Sequence, residues 1–275
     1  MKSLSEYTDL IEALRQSFVP QLDFHASPDL DTILDHPRLI VVMNHSTPLS
    51  WLPAITALSY EMVRGGYSSR VVRGVMDRWF YNNPLTKKLA EFITQLDRPQ
   101  SFDELLNNFE QNHPHDMIIF PEGANTFFGD PNEIQEFRSN RFLELAIRSK
   151  TPLLLAVHKG SESWSFSLPV AKEWGNFLKP YSKFFSHKIS HWQSVNLPVW
   201  PHRLEHFSMS CELYLPSLKE EDLSSDRDEK KIQLDREGQL VRKRMSELLR
   251  DLSQNHFLDS IQDKKTTEPF HDLTH

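Results

Sequence analysis

One local pattern, met three times along the chain, limits the fold more than any other feature. "RLIVVMNH" (38–45), "DMIIFPEG" (116–123) and "TPLLLAVHKG" (151–160) are short apolar runs that end abruptly in polar residues. Such a run is too short for a buried helix and does not alternate, so it reads as a strand covered on both faces. Helical patterns separate the runs. In "SFDELLNNF", Ser101 and Glu104 have the spacing of a capping box, and Phe102, Leu105, Leu106 and Phe109 share one helical face. "EFRSNRFLELAIRSK" (136–150) is also predicted helical. Strands alternating with helices predict an α/β fold with a mixed, largely parallel central sheet flanked by helices. Ligands of open α/β sheets sit beyond the carboxyl ends of the strands. That rule predicts Asn44-His45, Pro121-Glu122-Gly123 and His158-Lys159 along one edge.

The flanking regions are simpler. Leu4, Tyr7, Leu10, Ile11, Leu14 and Phe18 recur at helical spacing, which predicts an amphipathic N-terminal helix ended by Pro20. "SMSCELYLP" alternates and predicts a half-buried strand with Met209, Cys211, Leu213 and Leu215 on one side. A charged loop, "LKEEDLSSDRDEKK", leads to a helix with Val241, Met245, Leu248 and Leu252 in one stripe. The predicted organisation is a lead-in over 1–36, one α/β domain over 37–254 and a frayed, flexible tail over 255–275. A net charge of −7 argues against a general nucleic-acid binder, though not against a local basic patch. The single cysteine, Cys211, excludes an intrachain disulfide and a cysteine-based zinc site. No metal and no cofactor are expected. The first residues carry scattered acids and no apolar centre, unlike a signal peptide. No apolar run approaches the roughly 20 residues of a membrane span. The expected location is cytoplasmic and peripheral to the membrane.

His45 alone permits two readings, a strand-end filler or a working base. The same holds for "FPEG", which by itself is a strand followed by a turn. Taken in order, "NH" (44–45), "QLDR" (95–98), "FPEGANT" (120–126) and "TPLLLAV" (151–157) resemble the four blocks of the glycerophospholipid acyltransferase family, which includes the lysophosphatidic acid acyltransferases. The resemblance covers about residues 37–160 and departs from the family pattern at three positions. Ser50 stands where the first block has aspartate, Asn125 where the third has arginine, and Asn140 where a following segment has glycine.

The resemblance implies transfer of a fatty acyl group from acyl-CoA or acyl carrier protein to a hydroxyl of a lysophospholipid-like acceptor. His45 is then the general base, since a neutral imidazole suits proton abstraction near pH 7. Ser50 would support it with a hydrogen bond but no charge. Another acid, from Asp77, Asp130 or Glu122, would be needed to restore the charge. Asn44, Arg98, Glu122, Gly123 and Asn125 would line the acceptor site. Arg98 offers a planar fork for a phosphate, and otherwise reads as a surface ion pair with Asp97 or Glu91. The other reading of the chain is a catalytically inactive lipid-binding protein that keeps the fold. An esterase or thioesterase lacks support, because no G-x-S-x-G elbow is present.

Residues 172–203 interleave Trp174, Phe177, Tyr181, Phe184, Phe185, Trp192 and Trp200 with Lys179, Lys183, Lys188 and Arg203. Aromatic and basic residues together suit a bilayer interface, and equally suit aromatic packing under a long loop. This segment is the expected membrane contact, helped by the helix over 4–18.

Overall fold

The computed structural model describes residues 1–111, 115–169 and 194–266, with 255–266 described through the backbone. In chain order the helices are α1 (Thr8–Phe18), α2 (Leu30–Leu34), α3 (Trp51–Arg64), α4 (Arg78–Asn82), α5 (Pro84–Thr94), α6 (Phe102–Gln111), α7 (Arg141–Arg148) and α8 (Arg227–Thr266). The strands are β1 (Leu22–Ser27), β2 (Arg38–Met43), β3 (Val71–Gly74), β4 (His115–Ile119), β5 (Leu153–Lys159), β6 (Ser165–Pro169), β7 (Ser194–Pro198) and β8 (Phe207–Tyr214). A six-stranded sheet has the order β1-β8-β5-β2-β4-β3, and β6 and β7 form a separate antiparallel ribbon. Only the β5–β8 pairing in the large sheet is antiparallel. The protein is therefore α/β with a mixed, mostly parallel sheet between helices.

The three apolar runs are the central strands β2, β4 and β5. Side chains alternate across a strand, so each run feeds two cores. Leu39, Val41 and Met43 join Ile118, Leu154 and Ala156 on the face covered by α3. Ile40 and Val42 join Met117, Leu153, Leu155 and Val157 on the face covered by α7 and α8. Burial on both sides explains why the runs do not alternate in sequence. Register between β2 and β4 is fixed by a buried pair. Asp116 accepts from Arg70 Nε at 2.6 Å and from the Leu39 backbone N–H at 2.9 Å. Arg70 also donates to the Leu34 and His36 carbonyls, both at 2.9 Å.

Helix ends follow local chemistry. At α6 the capping box forms, with Glu104 accepting from the Ser101 N–H at 2.8 Å and Ser101 Oγ accepting from the Glu104 N–H at 3.3 Å. Asn83 caps α5 by accepting from the Leu85 N–H at 3.0 Å, with Pro84 in the first turn. Helix α7 begins at Arg141, later than the pattern over 136–150 predicts, because 136–140 fold back toward the sheet edge and α8. There Asn140 donates to Asp235 at 2.8 Å and sits where a side chain on Gly238 would collide with it.

The N-terminal segment buries only Leu4 and Ile11 and leaves Leu10 exposed, so the predicted apolar stripe is used in part. The backbone of the last helix is described to Thr266, and 267–275, the rest of the segment expected to form a flexible tail, lie outside the described residues. No helix among the described residues is long and apolar enough to cross a membrane.

Candidate functional site

Strands β2, β4 and β5 run parallel and adjacent, so their carboxyl ends share one edge. Asn44 closes that edge between two strands. Its amide donates to the His158 carbonyl at 3.2 Å and accepts from the His158 N–H at 2.8 Å. His158 Nε2 returns to the Asn44 carbonyl at 3.0 Å, and its ring stacks on Phe207. Burial holds the His158 ring well below the ordinary imidazole range, at about 3. Asn44 and His158 are thus a staple that fixes the backbone on which His45 stands.

His45 is held by the loop after β4. Its backbone N–H donates to Glu122 Oε1 at 2.9 Å, and Glu122 Oε2 accepts from the Gln135 N–H at 2.7 Å. Glu122 therefore ties two chain segments together through both oxygens and makes no bond to the His45 ring. Burial pushes its carboxyl up to about 8, against the pull of the two N–H donors and the Arg242 charge. The turn that follows requires Gly123 at φ +53°, a left-handed conformation that glycine adopts without strain.

The ring itself meets Thr126. Thr126 Oγ1 lies 3.2 Å from His45 Nδ1 and donates to the Gly123 carbonyl at 3.0 Å. A hydroxyl has one hydrogen. With that hydrogen on Gly123, Oγ1 accepts from Nδ1–H, and the lone pair of the imidazole is left on Nε2. Nε2 is closed from solvent and has no hydrogen-bond partner. Burial lowers the His45 ring to about 4, with hydrogen bonding to the Gly123 and Pro48 backbones acting in the other direction. His45 is half-buried as a residue, with its Nε2 closed from solvent, and the lowered ring pKa favours the neutral imidazole at pH 7. The Phe120 ring covers it at 5.1 Å between centroids.

Thr126 is positioned from below by the small ribbon. Asn196 on β7 is buried and donates from Nδ2 to the Thr126 and Gly129 carbonyls, both at 3.1 Å. Its Oδ1 accepts from Ser167 on β6 at 2.6 Å.

The other candidate residues fall elsewhere. Ser50 is fully buried at the start of α3, but its hydroxyl donates to the Thr47 carbonyl at 2.9 Å and accepts from the Thr47 N–H at 3.3 Å. It belongs to the turn before α3, and Thr126, not Ser50, holds the His45 ring. None of the three acids considered for that task bonds to the ring. Asp77 caps α4 and pairs with Arg138 at 3.4 Å. Asp130 accepts from Asn132 and, through its carbonyl, from Gln135. Glu122 holds the backbone of His45 instead. Arg98 is exposed, and its guanidinium donates to Glu104 at 2.7 Å, a different partner from Asp97 or Glu91. Asn125 donates to the Glu136 carbonyl at 2.8 Å. Of the predicted site residues, Asn44, His45, Glu122 and Gly123 come together, and Thr126, Gln135 and Asn196 complete the cluster.

The segment 172–193 of the aromatic and basic stretch lies outside the described residues; beyond it, Trp200 is 89% exposed. No family model matches this chain, and no curated protein is found to be similar to it.

Proposed function

We propose that the protein transfers a fatty acyl group from a thioester donor, acyl-CoA or acyl carrier protein, to the hydroxyl of a lysophospholipid-like acceptor. The observation that carries this reading is the state of His45: neutral, oriented through Nδ1 by Thr126, with Nε2 unpartnered. A base of this kind takes the acceptor's proton as its oxygen attacks the thioester carbonyl. The tetrahedral intermediate then expels the thiolate, which recovers that proton from the imidazolium. No acyl-enzyme is needed and no cofactor takes part. Acceptor access requires the cover over Nε2 to open on binding. An acceptor phosphate would have to draw Arg98 away from Glu104, and Asn125 offers no charge in its place.

A second reading is a lipid-binding protein without turnover. The observation in its favour is that the partner of the ring is a neutral hydroxyl where a charged acid would stabilise the imidazolium. One experiment separates the two. Purified protein is incubated with acyl-CoA or acyl carrier protein and a panel of lysophospholipids, and both free thiol and acylated lipid are measured. Release of thiol in step with acylated lipid supports transfer. Lipid binding with no product supports the second reading.

A further inference from the structure

We infer that α4 and α5 form a docking surface for an anionic lipid bilayer. This is a different place from the aromatic and basic stretch over 172–203, and the inference does not rest on acyl transfer.

Helix α5 is apolar on two faces. The inner face is in use, since Ala90 and Thr94 are buried, with Thr94 Oγ1 2.6 Å from the Tyr81 hydroxyl of α4. The outer face is not. Leu85, Leu89 and Phe92 follow one another at steps of four and three along α5, and they are 92%, 38% and 52% exposed. Trp79 on the neighbouring α4 is 49% exposed. A leucine left almost wholly in water at the start of a helix that packs well on its other side is not a core residue. Such an outer stripe marks an interaction surface.

The charges around the stripe select the partner. Arg78, Lys87 and Lys88 are exposed on the same two helices. The acids among them are already paired, Asp77 with Arg138 at 3.4 Å and Glu91 with Lys87 at 3.7 Å. Arg78 and Lys88 make no ion pair among the described residues. Lys88 flanks the stripe and Arg78 stands on the neighbouring helix, so unpaired positive charge borders an apolar stripe on a chain whose net charge is −7, whereas Lys87 lies on the far side of α5 from Leu85 and Leu89, where it pairs with Glu91. Apolar and aromatic side chains interleaved with long basic ones fit the headgroup boundary of an anionic membrane, where the alkyl stems lie along the apolar layer and the cations reach phosphates. The surface continues onto the N-terminal segment, where Tyr7 meets Phe92 edge to face at 5.6 Å and Lys2 lies over the Tyr7 ring. It also borders the candidate site. Arg138, the partner of Asp77, has its side chain beside Gly123 and its N–H on the Pro121 carbonyl at 2.8 Å. Docking through α4 and α5 therefore brings the sheet edge that carries His45 to the lipid.

The test is flotation of the full chain with phosphatidylcholine vesicles, with and without added phosphatidylglycerol. The wild type floats with the anionic vesicles. Leu85→Ser/Leu89→Ser, both changes at exposed positions, lowers the bound fraction about tenfold or more at low and high salt. Arg78→Glu/Lys88→Glu lowers it at least tenfold at low salt, and this loss shrinks as salt is added. Trp200→Ser, on the chain just after the β6–β7 ribbon, floats like the wild type. Thermal melts and sedimentation run alongside. The inference is overturned if the wild type does not float, or if the folded Leu85→Ser/Leu89→Ser variant floats unchanged. It is also overturned if flotation is lost in Trp200→Ser instead. A concentration-dependent dimer that Leu85→Ser/Leu89→Ser abolishes would assign the stripe to a second copy, which overturns it as well. Acyl transfer to a water-soluble short-chain acceptor, measured on the same variants, keeps the two readings apart. A protein that floats without turnover retains the surface and loses the enzyme, and the converse holds equally.

Discussion

At His45, the ring nitrogens have separate tasks, set by one threonine. Thr126 Oγ1 lies 3.2 Å from Nδ1, and with the threonine hydrogen on the Gly123 carbonyl, Nδ1–H donates to Oγ1 and Nε2 is left as the acceptor. Nitrogen NMR of histidine-labelled protein at pH 7 is expected to show His45 as the neutral Nδ1–H tautomer. The pH dependence follows. Burial puts the ring at about 4 in the fold, below the ordinary 6.5. A lowered value means that the neutral form is favoured by folding, so this stability is fully present above about 6.5 and is lost as pH falls through 4. In the same way, kcat/KM, which reports the free enzyme, is expected to stay level from pH 7 to about 5. An acid limb centred near 6.5 would contradict the buried geometry. Two substitutions separate Thr126 from Ser50. Thr126→Val removes one hydrogen bond and is expected to slow turnover about 5- to 10-fold, the worth of about 1 kcal/mol of positioning, with little change in KM. Ser50→Asp places a carboxylate in the buried turn, where the hydroxyl's donation to the Thr47 carbonyl is lost and a charge is buried. It is expected to lower the melting temperature and not to raise the rate. A raised rate would show that the aspartate reaches His45 despite Thr126.

At the scale of elements, the small ribbon matters more than its size suggests. Asn196 on β7 carries the loop that carries Thr126. Asn196→Ala is expected to reduce kcat in the same sense as Thr126→Val, and the double variant to lose little more than either single one. Additive losses would show that Asn196 supports the fold only. Much of the element layout was readable from sequence. β2, β4 and β5 announced themselves because burial on both faces leaves an uninterrupted apolar run. β8 showed through its alternation, and α6 through Ser101 and Glu104. β1 was not readable, because every second residue faces outward at a sheet edge and the strand includes Asp23 and His25. β3 was hidden by Arg73, buried in the middle of four residues with Nε and Nη2 unpartnered. The ribbon was hidden because its one fully buried inward residue on β7 is Asn196, which no hydrophobic pattern marks. In the site, His45 and Glu122 were visible as polar residues at strand ends. Thr126 and Gln135 were not, because their contacts depend on how the loop after β4 returns to the edge.

Across the whole molecule, the sheet edge is held to its two cores by buried polar ties. At the opposite end of β4, Asp116 takes Arg70 and the Leu39 N–H. Arg70→Met leaves that carboxylate buried and unpaired, and is expected to cost about 3–5 kcal/mol in denaturant unfolding. Adding Asp116→Leu removes the orphaned charge and is expected to recover a large part of the loss. Failure of the second change to recover any of it would show that the tie to Leu39 and the Leu34 and His36 carbonyls dominates. These ties give His45 a rigid base, and the central claim is that this histidine does chemistry. The most direct measurement is the rate of thiol release and acyl-lipid formation by His45→Ala beside the wild type, with both proteins shown to melt alike. The account predicts turnover by the wild type and a loss of at least about a hundredfold in the variant, the low end of general-base catalysis. Equal rates in the two proteins would contradict it.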